Sequence, residues 1–374
     1  MQGAAQQGVL DAGASALRVG EWQRARCCFE AALGDGESAE GRLGLGTALW
    51  WLGEFGASLQ ERERAFVGFR HRGDHGQAAV VALWLSIAYQ AGYANRAAAR
   101  GWLGGAERLI EQLDLPPLRG WLVLVKAHDA TDPEEGARLA GEALTAAARL
   151  EDRDLELCSL SQLGACLVAV GRVGEGMARL DEAMAGCLAG EPDDLSVVVF
   201  CSCHMLLACA RTGDHTRAVE WCRVSEAFIS RYGCPYLFAC CRAVYGRVLF
   251  SVGQWEEAER QLLEALRVSE TRYRPIYAEA AGTLAELRVR QGRVEEACKV
   301  LSGFEDEAPT TVAVAVTYLA RGELAAADRR SCDGSPKWAR TRSRRRHCSR
   351  SWWRSACRAT ISSPPAAPPT TSPP

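Results

Sequence analysis

A short turn motif recurs along most of the chain and constrains the fold more than any other feature. It is a turn residue, usually glycine, followed five residues later by a small residue. The members are Gly20 with Ala25, Gly53 with Ser58, Gly92 with Ala97, Asp132 with Ala137, Gly171 with Gly176, Gly213 with Ala218, Gly253 with Ala258, Gly292 with Ala297 and Gly322 with Ala327. Most lie about 40 residues apart, a repeat length typical of stacked helical hairpins. A repeat array also accounts for 374 residues, more than one hydrophobic core usually contains.

Each repeat is predicted to be two helices joined at the motif. Apolar residues recur at spacings of three and four on both sides of the turn, most clearly in 254–266, and no alternating strand pattern is present. The glycine ends the first helix in a left-handed conformation, and the small residue lets the second helix approach closely. One hairpin cannot bury its apolar face alone, so neighbours must stack. The sequence therefore predicts an all-α superhelix, an α-solenoid, with eight hairpins and the start of a ninth in residues 1–330.

The composition changes sharply after Arg330. Residues 331–374 contain eight Arg, one Lys, one Asp, three Trp and seven of the fourteen Pro, which gives a net charge of +8 and leaves −10 for residues 1–330. Such a segment cannot bury enough apolar surface to fold alone, so we expect a disordered basic tail. Its start inside the ninth hairpin also suggests a change of coding frame.

Several classes of function lack support in the sequence. Lys126, Lys299 and Lys337 are the only lysines and none lies in a phosphate-binding loop. Metalloprotease, nucleophile-elbow and dinucleotide-binding motifs are missing, so we expect no enzymatic activity and no cofactor. The start of the chain resembles no export signal, and no segment resembles a membrane span, which predicts a cytoplasmic protein.

One cluster of potential metal ligands occurs, at Cys201, Cys203, His204 and Cys209. Cys201 and His204 share a helix face, but Cys203 lies about 200° around the helix from Cys201, so four ligands cannot converge on one ion. We therefore predict that these residues pack in the core and bind no metal. In a reducing compartment the scattered cysteines are expected to be free thiols.

The remaining candidate is a groove lined by the first helices. Counting back from each turn predicts these inward-facing residues: Trp50, Trp51, Tyr89, Gln90, Lys126, Asp129, Arg211, Arg247, Glu279, Glu286 and Arg290. Exposed aromatic and arginine side chains are common anchors for bound protein segments. The groove therefore predicts a protein or peptide partner, or a small effector. The alternative is that several of these side chains merely pack or face water.

The turn with a helix on each side resembles a tetratricopeptide repeat. The runs LGLGTALWWLGEFGASLQERERAF, GEGMARLDEAMAGCLAGEPDDL and CSCHMLLACARTGDHTRAVEWC more specifically resemble the repeat region of actinobacterial LuxR-family transcriptional regulators, over residues 9–330. That resemblance implies a sensor region, which in the family precedes a DNA-binding helix-turn-helix. No sequence of that helix-turn-helix type occurs in this chain, so no DNA-contacting residue follows from the resemblance.

Two further interactions are expected from the C-terminal part of the chain. The arginines and tryptophans of 331–374 could bind nucleic acid through phosphate contacts and stacking, which is the alternative to a purely protein-binding role. An apolar edge on the ninth hairpin, at Val312, Val314, Val316 and Leu319, predicts a homodimer.

Overall fold

The computed structural model describes residues 2–93, 95–269 and 273–323. Seventeen α-helices and one short 3₁₀ turn, Ala308–Thr310, occupy these ranges, which contain no β-strand. The helices are α1 (Gln2–Arg18), α2 (Trp22–Asp35), α3 (Ala39–Trp51), α4 (Phe55–His71), α5 (His75–Tyr93), α6 (Arg96–Gln112), α7 (Pro116–Asp129), α8 (Pro133–Leu150), α9 (Arg153–Ala169), α10 (Val173–Ala189), α11 (Leu195–Thr212), α12 (His215–Tyr232), α13 (Pro235–Ser251), α14 (Trp255–Ser269), α15 (Arg274–Arg290), α16 (Val294–Leu301) and α17 (Thr311–Ala320).

The helices alternate as first and second members of hairpins, from α1–α2 to α15–α16, with α17 as the first helix of a ninth. The predicted all-α array of tetratricopeptide-like hairpins is confirmed. The tail, 331–374, lies outside the described residues, and so does Ala327.

The predicted turns hold in detail with two exceptions. Seven of the eight turn glycines have the positive φ that a left-handed cap requires, but Gly92 lies inside α5. The N-cap of α6 is instead Asn95, whose side chain accepts a hydrogen bond from the amide of Ala98. In the other hairpins the small residue at the helix contact lies four positions after the N-cap. In the third hairpin this position is Ala99, which is buried, whereas the predicted Ala97 is exposed.

The same rule corrects the fourth hairpin. Asp132 is the N-cap of α8, and the small residue at the contact is therefore Gly136, while the predicted Ala137 is only partly buried. A Cβ atom at Gly136 would lie 2.9 Å from the sulfur of Cys166. Turn spacing alone missed this shift because the N-cap, and not the turn residue, sets the register of the second helix.

A close contact of two backbones joins α9 and α10 at a pair of glycines. A Cβ atom on Gly164 would lie 2.7 Å from the carbonyl oxygen of Gly176, and the converse distance is also 2.7 Å. Neither position can carry even a methyl group without moving backbone atoms. This steric requirement explains the small residue of the repeat motif.

Contacts divide the described residues into two compact units, the first within 2–245 and 267–276, and the second within 246–266 and 277–323. Within the first unit each first helix from α5 to α9 packs on the next one: α5 on α7, α7 on α9 and α9 on α11. Over the described residues, successive second helices show no comparable packing. The first helices therefore form the inner, concave side of this unit.

The second unit contains the predicted apolar edge. Val312 is exposed, but Val314 is buried with Ala285, Ala297, Leu301 and Ala313. Val316 and Leu319 are partly buried. The edge is thus smaller than the sequence predicts, because α17 turns Val314 into the core, and dimerisation stays a prediction.

One helix in the described part of the chain, α11, is long and apolar enough to span a membrane by length and composition. It packs against α9, α10 and α12, and half of its residues are buried in the array. These contacts make α11 a core helix of the first unit.

The Gly164–Gly176 contact can be tested by a single methyl group. We expect Gly176→Ala to lower the free energy of unfolding by about 1–3 kcal/mol, because the added Cβ overpacks two backbones. Gly174→Ala on the same helix is the matched control, since nothing lies within 4 Å of its Cβ position. Alanine there should stabilise the helix by up to about 1 kcal/mol. Urea unfolding followed by circular dichroism measures both, and equal effects of the two substitutions would contradict the close contact.

Candidate functional site

Polar and aromatic side chains from three successive first helices meet on the inner side of the first unit. We call this group the inner ridge: His128 of α7, Ser161 and Gln162 of α9, and Phe200 and His204 of α11. Nδ1 of His128 lies 3.1 Å from Oε1 of Gln162, and Nδ1 of His204 lies 3.1 Å from Oγ of Ser161. The two imidazole rings are 5.9 Å apart. Hydrogen bonds thus join α7 to α9 and α9 to α11.

The hydrogen bonds assign the protonation of His128. The amide nitrogen of Gln162 donates to the sulfur of Cys166 at 3.3 Å, which leaves its oxygen facing the imidazole as an acceptor. Nδ1 of His128 must therefore carry the proton, and Nε2 is left as a hydrogen-bond acceptor. Burial lowers the pKa of His128 below its ordinary value, so the ring is neutral at physiological pH.

His204 is held neutral more strongly. Burial, with smaller contributions from Arg211 and the other imidazole, lowers the pKa of His204 to about 3. The ring of Phe200 stands edge-on to this imidazole with centroids 4.3 Å apart. The ridge consequently offers neutral hydrogen-bonding groups beside an aromatic ring, a combination suited to an uncharged peptide backbone.

Arg211 extends this face of α11. It follows His204 by seven residues, which returns it to the same side of the helix, and its side chain is exposed. Sequence counting identified Arg211 but missed Phe200 and the four polar residues of the ridge. Of these, the sequence singled out only His204, and that as a possible metal ligand; the others lie in apolar surroundings several residues before the turn.

Trp50 and Trp51 lie at the end of α3 in a contact that links distant parts of the first unit. Trp51, only 3% exposed, stacks on Trp22 with centroids 4.3 Å apart and parallel planes. The indole nitrogen of Trp22 donates to the backbone oxygen of Tyr232 at 2.5 Å. Trp50 approaches Tyr236, with centroids 6.5 Å apart. The first two hairpins thus contact α12 and α13, which neighbour-only stacking does not predict.

The other predicted groove residues of the first unit pair with nearby helices. The hydroxyl of Tyr89 donates to Glu63 at 2.6 Å, and burial raises its pKa to about 12. Gln90 donates to the backbone oxygen of His128 at 3.1 Å, which places it beside the inner ridge. Lys126 forms an ion pair with Glu107 of α6. Asp129 likewise pairs with Arg96 and Arg100 of α6, so Lys126 and Asp129 contact a second helix.

The four predicted residues of the second unit lie together on α13 and α15. Arg247 forms an ion pair with Glu279 at 2.6 Å, and the guanidinium of Arg290 lies 4.8 Å from the ring centroid of Phe250. Burial raises the pKa of Glu286, against the lowering effect of Arg247 and Arg290. The structure therefore brings these charges together as one mutually neutralising group.

The cysteines lie mainly in the interior. Thirteen are free thiols over the described ranges. Cys201 contacts the backbone oxygen of Leu157 at 3.6 Å, and Cys209 lies 3.8 Å from the sulfur of Met205. Burial raises the pKa of Cys209 to about 12, which disfavours the reactive thiolate. Within the described residues no three His, Cys, Asp or Glu side chains are placed to hold a metal ion.

Comparisons with known proteins bear on the fold. No protein-family model matches the chain, and no curated protein matches it. A Rap protein complexed with competence and sporulation factor is 12% identical, with a TM-score of 0.56 over 91% of this chain and 100% of that one. NprR in complex with its cognate peptide NprX is 12% identical over 88% of each chain, with a TM-score of 0.47. A signal-transduction ATPase with a tetratricopeptide repeat sensor, from Pyrococcus horikoshii, is 15% identical over 80% of this chain and 47% of that one, with a TM-score of 0.44. At 12% identity the likeness to the Rap protein shows a shared fold.

The environment of His204 predicts a pH dependence of stability. The unfolded chain binds a proton near pH 6.5 and the folded chain only near pH 3, so stability is lost as pH falls below 6.5. Between about pH 7.5 and 5.5 this loss amounts to about 1.4 kcal/mol for His204 alone. Urea unfolding at the two pH values should therefore show a smaller loss for His204→Gln than for the wild type.

His71→Gln is the matched control for this test, because His71 is exposed on α4. It should keep the pH dependence of the wild type. Equal pH dependence of His204→Gln and the wild type would contradict the burial of a neutral imidazole on the inner ridge.

Proposed function

We propose that the chain is a non-catalytic, peptide-binding helical-repeat protein and that the inner ridge is its recognition surface. The observation that carries this proposal is the joining of α7, α9 and α11 by partly buried, neutral polar groups beside Phe200. A peptide backbone needs hydrogen-bond partners when it leaves water, and a neutral imidazole such as that of His128, whose Nε2 is an acceptor, supplies one without a net charge to desolvate.

The shared fold gives further support. The Rap protein of similar fold is described in complex with competence and sporulation factor, so this hairpin array is compatible with binding such a factor. Gln90 and Arg211 flank the inner ridge and belong to the proposed surface. A ligand longer than the ridge is proposed to reach further groove residues of the same unit: Trp50, Trp51, Tyr89, Lys126 and Asp129.

At a finer level we propose that the chain is the sensor region of a LuxR-type transcriptional regulator in the cytoplasm. The support is the sequence resemblance of residues 9–330 together with the hairpin array.

Nucleic-acid binding through residues 331–374 is a second proposal, supported by their net charge of +8. Deleting that segment should abolish a salt-sensitive DNA affinity, and an affinity that survives the deletion would contradict the role of the tail.

Peptide binding can be measured with ligands selected on the protein itself. Short random peptides displayed on phage are selected against the full chain, and the affinity of a selected peptide is determined by titration calorimetry. We expect Phe200→Ala to weaken binding at least ~10-fold, about 1.4 kcal/mol, because the ring contacts both imidazoles of the ridge.

Leu188→Ala is the control for this experiment. Leu188 is an exposed apolar residue on α10, a second helix, so its loss should leave the affinity unchanged. Selection of no peptide, or equal affinities for Phe200→Ala and the wild type, would contradict the proposal.

A further inference from the structure

Arg62 is a buried cation without a matching anion. It belongs to α4, a second helix, and only 2% of its surface is exposed. Its Nε atom has no hydrogen-bond partner, and no carboxylate among the described residues forms an ion pair with it. Other arginines of this region pair with acids, as Arg42 does with Glu61 at 2.8 Å. Arg62 therefore differs from these neighbouring arginines in having no acidic partner among the described residues.

The chain is built to bring this side chain between two first helices. Its stem passes Gly46 of α3, where a Cβ atom would lie 2.8 Å from Cγ of Arg62. Its Nη2 donates to the hydroxyl of Thr47 at 3.2 Å, and its guanidinium lies 3.3 Å from the ring centroid of Trp84 on α5. α3 and α5 lack the close packing that joins α5 to α7, so Arg62 fills the space between them. Its head thus lies among first-helix residues, on the inner side of the unit.

This placement costs free energy unless something compensates the charge. Stacking on Trp84 is one favourable contact, but it does not supply a negative charge. The carboxylate of Asp194 raises the pKa of Arg62 but forms no ion pair with it, and one of its oxygens accepts from the amide of Ser196 at 2.8 Å. Burial without a close anion lowers the pKa of Arg62 to about 9, which still leaves it protonated at neutral pH.

We infer that Arg62 is a subsite for a carboxylate of the bound peptide, an inference that rests on the proposed function for its ligand class. A carboxylate can accept from the unpaired Nε–H in the plane of the guanidinium while Trp84 covers one face. The side chains of Thr47 and Trp84 contact the guanidinium. Trp50 stands edge-on to Trp84 with centroids 5.8 Å apart. Entry of the ligand requires these side chains to move.

The direct test uses two small probes that differ only in charge. N-acetylglycine mimics a peptide carboxylate, and N-acetylglycinamide is its neutral counterpart. At constant ionic strength we expect N-acetylglycine to raise the thermal unfolding temperature of the wild type by on the order of 1–3 °C at concentrations well above its Kd, and the amide to have no effect.

Arg62→Met separates recognition from structure. It should abolish the response to N-acetylglycine while leaving the unfolding temperature without probe unchanged or higher, because it replaces an unpaired buried charge by an apolar side chain. Arg70→Met, at an exposed position of the same helix, should respond as the wild type does.

Three outcomes would overturn the inference. The wild type could show no response to N-acetylglycine, Arg62→Met could respond to N-acetylglycine as the wild type does, or the wild type could respond to inorganic phosphate but not to N-acetylglycine. None depends on peptide selection. Failure to select any peptide contradicts the proposed function, whereas selected peptides that bind Arg62→Met and the wild type equally contradict only the carboxylate subsite.

Discussion

The approach of two helices at a residue too small to separate them is the constraint on which the structure depends. At Gly164 and Gly176 the backbones of α9 and α10 leave no space for a methyl group. Ala25, Ser58, Ala99, Ala218, Ala258 and Ala297 occupy the corresponding buried position in other hairpins. Close pairing inside each hairpin fixes the direction in which the first helix faces its neighbours. The inner ridge exists because three first helices present their polar residues at matching heights.

A second constraint acts within the first unit alone. Trp22 and Tyr232 are 210 residues apart in sequence, and their hydrogen bond, with the stacking of Trp51 on Trp22, joins the first two hairpins to α12. A glycine at position 20 is needed for this contact, since a Cβ atom there would lie 2.5 Å from the ring of Tyr232. Stacked rings and a partly buried hydrogen bond therefore limit the curvature of the unit, so a ligand on the inner side must fit a space of defined width.

The sequence predicts the fold far better than it predicts the residues of the proposed binding surface. A repeat of about 40 residues, with a turn glycine in most hairpins, is a local signal from which the helix order, the hairpin number and most turn positions follow. The predicted register of the second helix is wrong after Gly92 and Asp132, because the N-cap is Asn95 in the first case and Asp132 itself in the second, whereas in other hairpins it directly follows the turn glycine. Arg62 could not be found by counting along first helices, because it reaches the inner side from a second helix past Gly46. Lys126 and Asp129 illustrate the converse case, since both lie on a first helix yet pair with α6.

The central claim is that recognition occurs on the first helices of the first unit. Hydrogen–deuterium exchange of the full chain, with and without a selected peptide, measures this most directly, because a bound ligand slows the exchange of amides in the helices it stabilises. The account predicts protection concentrated in α7, α9 and α11. Protection confined to α8, α10 and α12, or to neither set while the peptide is bound, would contradict it.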